Sequence, residues 1–335
     1  MRILLVCNYK AGVGGISGQV ELLQRHLREE GHVADIFSTK GSMMGRIAML
    51  PRLAAKARAY DVVHVHCCSG WGFLPAVLGI KSGRSARRRV VLTYHGGGAE
   101  EFFARHKWLV KHCLLRTDAN IVLSGFLSRV FSAYGIPHAV VPNIVEFDAD
   151  HYRQRVQLTP NFVCTRAHEA LYNIPCILKA FGIIQKSLPC ARLTLVGGGS
   201  LHEGLKKQVS EMGLEGVSFV GKVDNSEIYT YLDKADILLS APHIDNMPVS
   251  LIEAMDAGLL IVSSAVGGVP YMLTDGRDAL LFPDDDHEAL AAKVLWALDN
   301  QAEALRLVAA AHSLTGRYTW ESVRHQIYTV YGIHS

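Results

Sequence analysis

Short, nearly unbroken apolar runs alternate with longer amphipathic stretches along this chain. Residues 1–7, 33–37, 61–66, 90–93 and 120–124 read as buried strands, while 19–30, 45–60 and 102–116 repeat their apolar positions at helical spacing. The alternation resumes with strands at 161–166, 192–196, 217–220, 237–240 and 259–263. Helices are predicted over 248–257 and 288–298, and an amphipathic segment over 318–331. Strand-then-helix units repeated through both halves predict parallel sheets covered by helices, the α/β class.

Residues 240–271, SAPHIDNMPVSLIEAMDAGLLIVSSAVGGVPY, organise the rest. A strand ends at Leu239, a polar loop follows, Pro248 opens a helical run, and Gly258 ends it before the next strand. In an open parallel sheet the ligand crevice lies at such a carboxyl end, and a helix start offers free N–H groups to an anion. Asp245 and Asn246 stand in the loop. Val249 and Ser250 follow Pro248, so their N–H groups are expected to lack intrahelical acceptors. Leu251, Ile252 and Met255 form an apolar stripe from which Glu253 departs, which singles out Glu253 as a ligand-facing acid.

Further candidates lie at other strand ends. Arg166 closes the strand at 161–166, where a guanidinium can take two diphosphate oxygens. Gly197 and Gly199, after the strand at 192–196, allow backbone to approach phosphate or ribose. Gly14 and Gly15 offer the same freedom after the first strand. His95 follows the strand at 90–93 in YHGGG, a position that points into a cleft. His64 and His66 share one strand face without an evident third ligand, so packing or polarity is preferred over a metal. The dinucleotide fingerprint G-x-G-x-x-G fails at Ser17 and again at His202, which disfavours a nicotinamide enzyme. The D-x-D of Asp148 and Asp150 falls at a linker.

These elements together resemble the retaining family-4 (group 1) glycosyltransferases of GT-B fold. Asp245 and Glu253 lie at the spacing of that family's two acids, with Asp245 in place of the usual first Glu. Gly267, Gly268 and Pro270 are similar to its GG-x-PE turn, with Tyr271 where Glu is commoner. The resemblance implies two Rossmann-like domains with parallel sheets facing a central cleft. It places Glu253 on the donor ribose, Asp245 and His95 by the sugar, Gly14 and Gly15 near the donor phosphates and acceptor, and Arg166 on the diphosphate. Asn246 and Met247, in D-N-M-P, resemble a bacterial sub-branch. The family's Lys six positions after the Arg is Tyr172 here, and His168 is read as its partial substitute. The segment 275–283 resembles the closing hairpin of the family.

Size supports two domains in 335 residues. The expected division is 1–158 on the acceptor side, 159–314 for the nucleotide-sugar donor, and 315–335 as a helix crossing back to the first domain. Residues 1–150 carry 19 Lys and Arg against 11 Asp and Glu, a net +8, whereas residues 151–335 carry 15 against 20, a net −5. The arginines at 84 and 87–89 crowd one loop, and the helix at 102–116 combines Trp108 with basic residues. That helix reads equally as one lying on an anionic membrane surface, which would then be a partner, and as a core-packed helix with a solvated basic face. Nucleic acid is not expected, and the lack of a spanning run gives an expected cytoplasmic localisation, peripheral at the inner face of the membrane on the lipid reading. The cysteines form no C-x-x-C pair, so neither zinc nor disulfides are expected. The resulting reading is a hexosyltransferase using a nucleoside diphosphate sugar (UDP or GDP) and a glycan or lipid-linked acceptor in polysaccharide or cell-envelope synthesis, with no cofactor or metal. The alternatives are a catalytically weak donor-binding subunit of the same fold, a nicotinamide oxidoreductase, and a membrane-surface structural protein.

Overall fold

The computed structural model describes residues 1–10, 15–42, 45 and 48–333, apart from the side chain of Ala149. The chain divides into two compact units, residues 1–144 with 318–335, and residues 145–317.

The first unit holds six strands, β1 (Arg2–Cys7), β2 (Val33–Ser38), β3 (Val62–Cys67), β4 (Arg89–Tyr94), β5 (Ala119–Val122) and β6 (Ala139–Val140). They pair in parallel in the order β2-β1-β3-β4-β5-β6. β1 is buried from Ile3 to Cys7 and β3 along its whole length, which is why both read as continuous apolar runs. The helix Trp320–Tyr331 belongs to this unit. It sends Trp320, Val323, Ile327, Val330 and Tyr331 into a core shared with Ile3, Leu5 and Val91. Tyr331 Oη lies 2.7 Å from His64 Nδ1, and Trp320 Nε1 donates to Glu30 at 3.1 Å.

The second unit carries β7 (Asn161–Cys164), β8 (Arg192–Val196), β9 (Val217–Gly221), β10 (Ile237–Ser240), β11 (Leu260–Ser264) and β12 (Leu280–Phe282), parallel in the order β12-β11-β10-β7-β8-β9. Strand order reverses between β7 and β10, so the loops leaving their carboxyl ends diverge and leave a crevice. Arg166 follows β7 and Asp245 follows β10.

Three expectations need correction. Residues 145–158 group with the second unit rather than the first. Arg155 supplies the physical tie: its buried guanidinium bonds Asp236 at 3.0 Å and the carbonyls of Ala257 and Gly258 at 2.6 and 2.7 Å. The stretch 102–116 is two helices, Ala99–Arg105 and Lys107–Leu114, broken where His106 leaves helical geometry. The segment 275–283 makes no hairpin, because β12 pairs in parallel with β11. Among the described residues no helix is long and apolar enough to cross a membrane.

Candidate functional site

Arg166 is the centre of the candidate site in the second unit. Its Nη1 donates to Ser250 Oγ at 3.0 Å, and its Nη2 is ion-paired with Asp245 Oδ2. Its Cζ lies 4.1 Å from the centroid of the Tyr172 ring, a cation–π contact. Arg166 Nε is buried with no hydrogen-bond partner among the described residues. The guanidinium is thus held on three sides by a carboxylate, a hydroxyl and an aromatic face. Tyr172, read from sequence as the loss of a cation, supports the remaining one.

The loop after β10 places Asp245 through its backbone. Asp245 Oδ1 accepts from the N–H of Asn246 at 2.7 Å, and its carbonyl accepts from Gly268 N–H at 2.8 Å. Gly267 has φ +53°, and a Cβ there would run into the Asp245 carbonyl, so this position requires glycine. Pro248 is the N-cap of the helix Val249–Asp256 rather than a residue of its first turn, and its carbonyl accepts from Leu251 N–H at 3.1 Å. Val249 and Ser250 are the first helical residues, so their N–H groups have no carbonyl one turn back to bond. An arginine and a helix start lie together, and both favour an oxyanion.

Glu253 occupies the same helix, half-buried, while Leu251, Ile252 and Met255 are fully buried. Burial raises its pKa to about 7 against the pull of Arg166, with Asp256 pushing in the same direction as burial. Asn246 is buried and Met247 partly so. Gly197 and Gly199 do not line open space: a Cβ at Gly197 would strike the Arg166 carbonyl, and one at Gly199 the Glu169 carboxylate and the His168 carbonyl. Their absent side chains let the loop after β8 lie against the loop after β7, which fixes the backbone that carries Arg166.

His168 is not a substitute cation. It is fully buried, its Nδ1 lies 2.8 Å from Nδ1 of His202, and burial first, then His202, lowers its pKa, which disfavours a charge on it. Tyr271 is exposed.

Three predicted residues belong to the first unit, two of them described. Gly15 precedes the helix Ile16–Glu29 with φ +70°, and Gly14 lies outside the described residues. His95 follows β4, and its Nε2 lies 3.0 Å from His66 Nδ1, with the rings stacked. The expected lack of a third histidine near His64 and His66 is therefore overturned. The register pairing His66 with Thr93 and Cys67 with Tyr94 brings His95 to that end of β3, which the sequence alone does not disclose. Burial lowers the pKa of His95 to about 4 and of His64 to about 3. Among the described residues no group of three His, Cys, Asp or Glu is arranged to hold a metal ion.

The family profile "Glycosyl transferases group 1" matches residues 157–313, and "Glycosyltransferase Family 4" matches residues 39–149. The amylovoran biosynthesis glycosyltransferase AmsK of Erwinia amylovora is 34% identical over 143 residues, which is 41% of this chain and 35% of that protein. The phosphatidyl-myo-inositol mannosyltransferase of Mycolicibacterium smegmatis is 25% identical over an alignment covering 99% of this chain and 93% of its own. Among solved structures, sucrose-phosphate synthase of Thermosynechococcus elongatus superposes with TM-score 0.82 at 18% identity, covering 99% of this chain and 98% of that one. HepE of Anabaena, solved in complex with UDP and glucose, gives 0.78 at 16% identity with 99% of both chains covered. The two parallel six-stranded sheets are those of the GT-B fold, and the chain belongs to the family-4, group 1 glycosyltransferases.

Proposed function

We propose that the protein is a retaining, metal-independent glycosyltransferase that moves a hexose-type sugar from a nucleoside diphosphate sugar to a hydroxyl of a glycan or lipid-linked acceptor, in polysaccharide or cell-envelope synthesis. The observation that carries this is the anchored Arg166 guanidinium beside the start of the helix Val249–Asp256. As the bond from the anomeric carbon to the diphosphate breaks, negative charge gathers on the diphosphate and positive charge on the sugar. Arg166 and the N–H groups of Val249 and Ser250 stabilise the former through fixed electrostatics. Glu253 takes the ribose hydroxyls, and Asp245 orients the sugar. No protein nucleophile is assigned. The bound UDP and glucose of HepE support a nucleotide-sugar donor, and the likeness to a phosphatidyl-myo-inositol mannosyltransferase supports a lipid-linked acceptor.

A thermal-shift screen of UDP- and GDP-sugars against wild type and Glu253→Ala tests the assignment. One donor should raise the wild-type melting temperature and fail to raise that of the variant; no shift with any donor, or equal shifts, would contradict it.

The Arg166–Asp245 pair favours a second reading, a catalytically weak donor-binding subunit, because the carboxylate already occupies a nitrogen meant for phosphate. Donor hydrolysis and transfer assays separate the two, since a weak subunit binds the donor without turning it over. On the acceptor side, the helix Lys107–Leu114 exposes 85% of Trp108 beside Lys107 and Lys111, which supports contact with an anionic membrane. Trp108→Ser should lower co-sedimentation with phosphatidylglycerol vesicles.

A further inference from the structure

The amino end of the first sheet carries a second concentration of positive charge, at the far end of β4 from His95. β4 begins at Arg89 and ends at Tyr94, so the two ends lie roughly 15–20 Å apart at about 3.3 Å per residue. Arg84, Arg87, Arg88 and Arg89 line a cavity of about 400 Å³ whose remaining lining residue is Asp118. Four guanidinium groups face one carboxylate. That carboxylate is largely engaged, accepting Val90 N–H at 2.7 Å and Arg84 Nη1 at 3.2 Å.

The arginines are placed by local structure rather than left to drift. Arg84 lies in the last turn of the helix Leu74–Ser85, and its Nε donates to the Arg116 carbonyl at 2.6 Å. The helix closes with Arg88 N–H on the Gly83 carbonyl and Arg87 N–H on the Arg84 carbonyl, a Schellman ending. The left-handed position of that motif ordinarily carries glycine, yet here it is Arg87, with φ 54°. Arg88 Nη2 donates to the Arg58 carbonyl at 2.5 Å, while its Nε is buried without a partner among the described residues. Arg89 Nε donates to the Val330 carbonyl at 2.8 Å, on the helix Trp320–Tyr331. One arginine at a helix end is explained by the helix dipole. Four converging on one cavity, one of them in a backbone conformation costly for a side chain, are not.

We infer that this arginine-lined cavity is a binding site for a phosphate-bearing anion, separate from the donor site in the second unit. Guanidinium forks match phosphate oxygens in pairs, and among the described residues Asp118 is the one carboxylate ion-paired with any of the four arginines. A soluble phosphate compound or the phosphate of an anionic lipid headgroup would satisfy the same geometry.

The test uses full-length protein in an Arg166→Ala background, which removes the guanidinium of the donor site. Isothermal titration with inorganic pyrophosphate at low salt, and co-sedimentation with phosphatidylglycerol against phosphatidylcholine vesicles, are compared with and without Arg87→Asn. Asparagine tolerates the left-handed backbone and keeps the N–H bond to the Arg84 carbonyl, and the Arg87 side chain makes no hydrogen bond or ion pair among the described residues for the substitution to break. Pyrophosphate binding weakened tenfold or more by Arg87→Asn, and less by Arg87→Lys, supports a soluble anion. Binding only to phosphatidylglycerol vesicles, lost with Arg87→Asn, supports a lipid headgroup. Binding to neither, or binding to either that ignores Arg87→Asn, overturns the inference.

Discussion

The ring of Tyr172 lies against the guanidinium of Arg166, 4.1 Å from centroid to Cζ. The contact restrains Arg166 before any ligand arrives. A cation–π pair of this kind contributes about 0.5–1 kcal/mol, so Tyr172→Ala should weaken nucleoside diphosphate binding about two- to fivefold. Tyr172→Phe keeps the ring and should bind as wild type. Isothermal titration of both variants separates an aromatic support from a role for the hydroxyl.

Glu253 gives a pH signature. Its pKa in the folded chain, about 7, exceeds the ordinary value of 4.5 because burial disfavours the charge. Between those values the native chain holds a proton that the unfolded chain releases, so this group's contribution is fully present below the lower value and is lost as pH rises through the upper one. Glu253→Gln removes the dependence. The melting temperature of the variant relative to wild type should therefore rise between pH 5 and pH 8, whereas an offset constant with pH would contradict the shift.

Gly267 holds the acid loop by having no side chain. With φ +53° and a Cβ position blocked by the Asp245 carbonyl, Gly267→Ala should cost more than about 1 kcal/mol in urea unfolding. The same variant should lose donor-induced thermal stabilisation, because the displaced Asp245 no longer holds Arg166.

Arg155 ties the segment after the first unit into the second. Removing it by Arg155→Ala leaves Asp236 short of a buried partner and strands the carbonyls of Ala257 and Gly258, for a loss of about 3 kcal/mol or more. Chemical denaturation followed in the second unit measures it; Arg155→Lys should recover only part, since one ammonium cannot serve carbonyls and carboxylate together.

What could be read from the sequence was whatever local pattern encodes. The parallel α/β architecture follows from alternating apolar runs and helical stretches, and Glu253 stands out as the acid among Leu251, Ile252 and Met255. Arg166 was legible because a charged residue closing an apolar strand has few reasons to be there. Features set by non-local pairing were not. The partnership of His66 with His95 depends on the β3–β4 register. The placing of Tyr172 depends on the short 3₁₀ turn Ala170–Tyr172, whose direction no periodicity reveals. The hairpin over 275–283 is what the family resemblance implies, yet the edge of β11 takes the three residues of β12 in parallel. The break at His106 has neither glycine nor proline to announce it.

Arg166 is the residue on which the account stands, and titrating the preferred nucleoside diphosphate sugar into wild type and Arg166→Ala by calorimetry tests it most directly. The wild type should bind the donor, and the variant should lose at least tenfold in affinity, consistent with a charge-assisted pair to phosphate. Equal affinity in the two proteins would place the diphosphate elsewhere and contradict the proposed site.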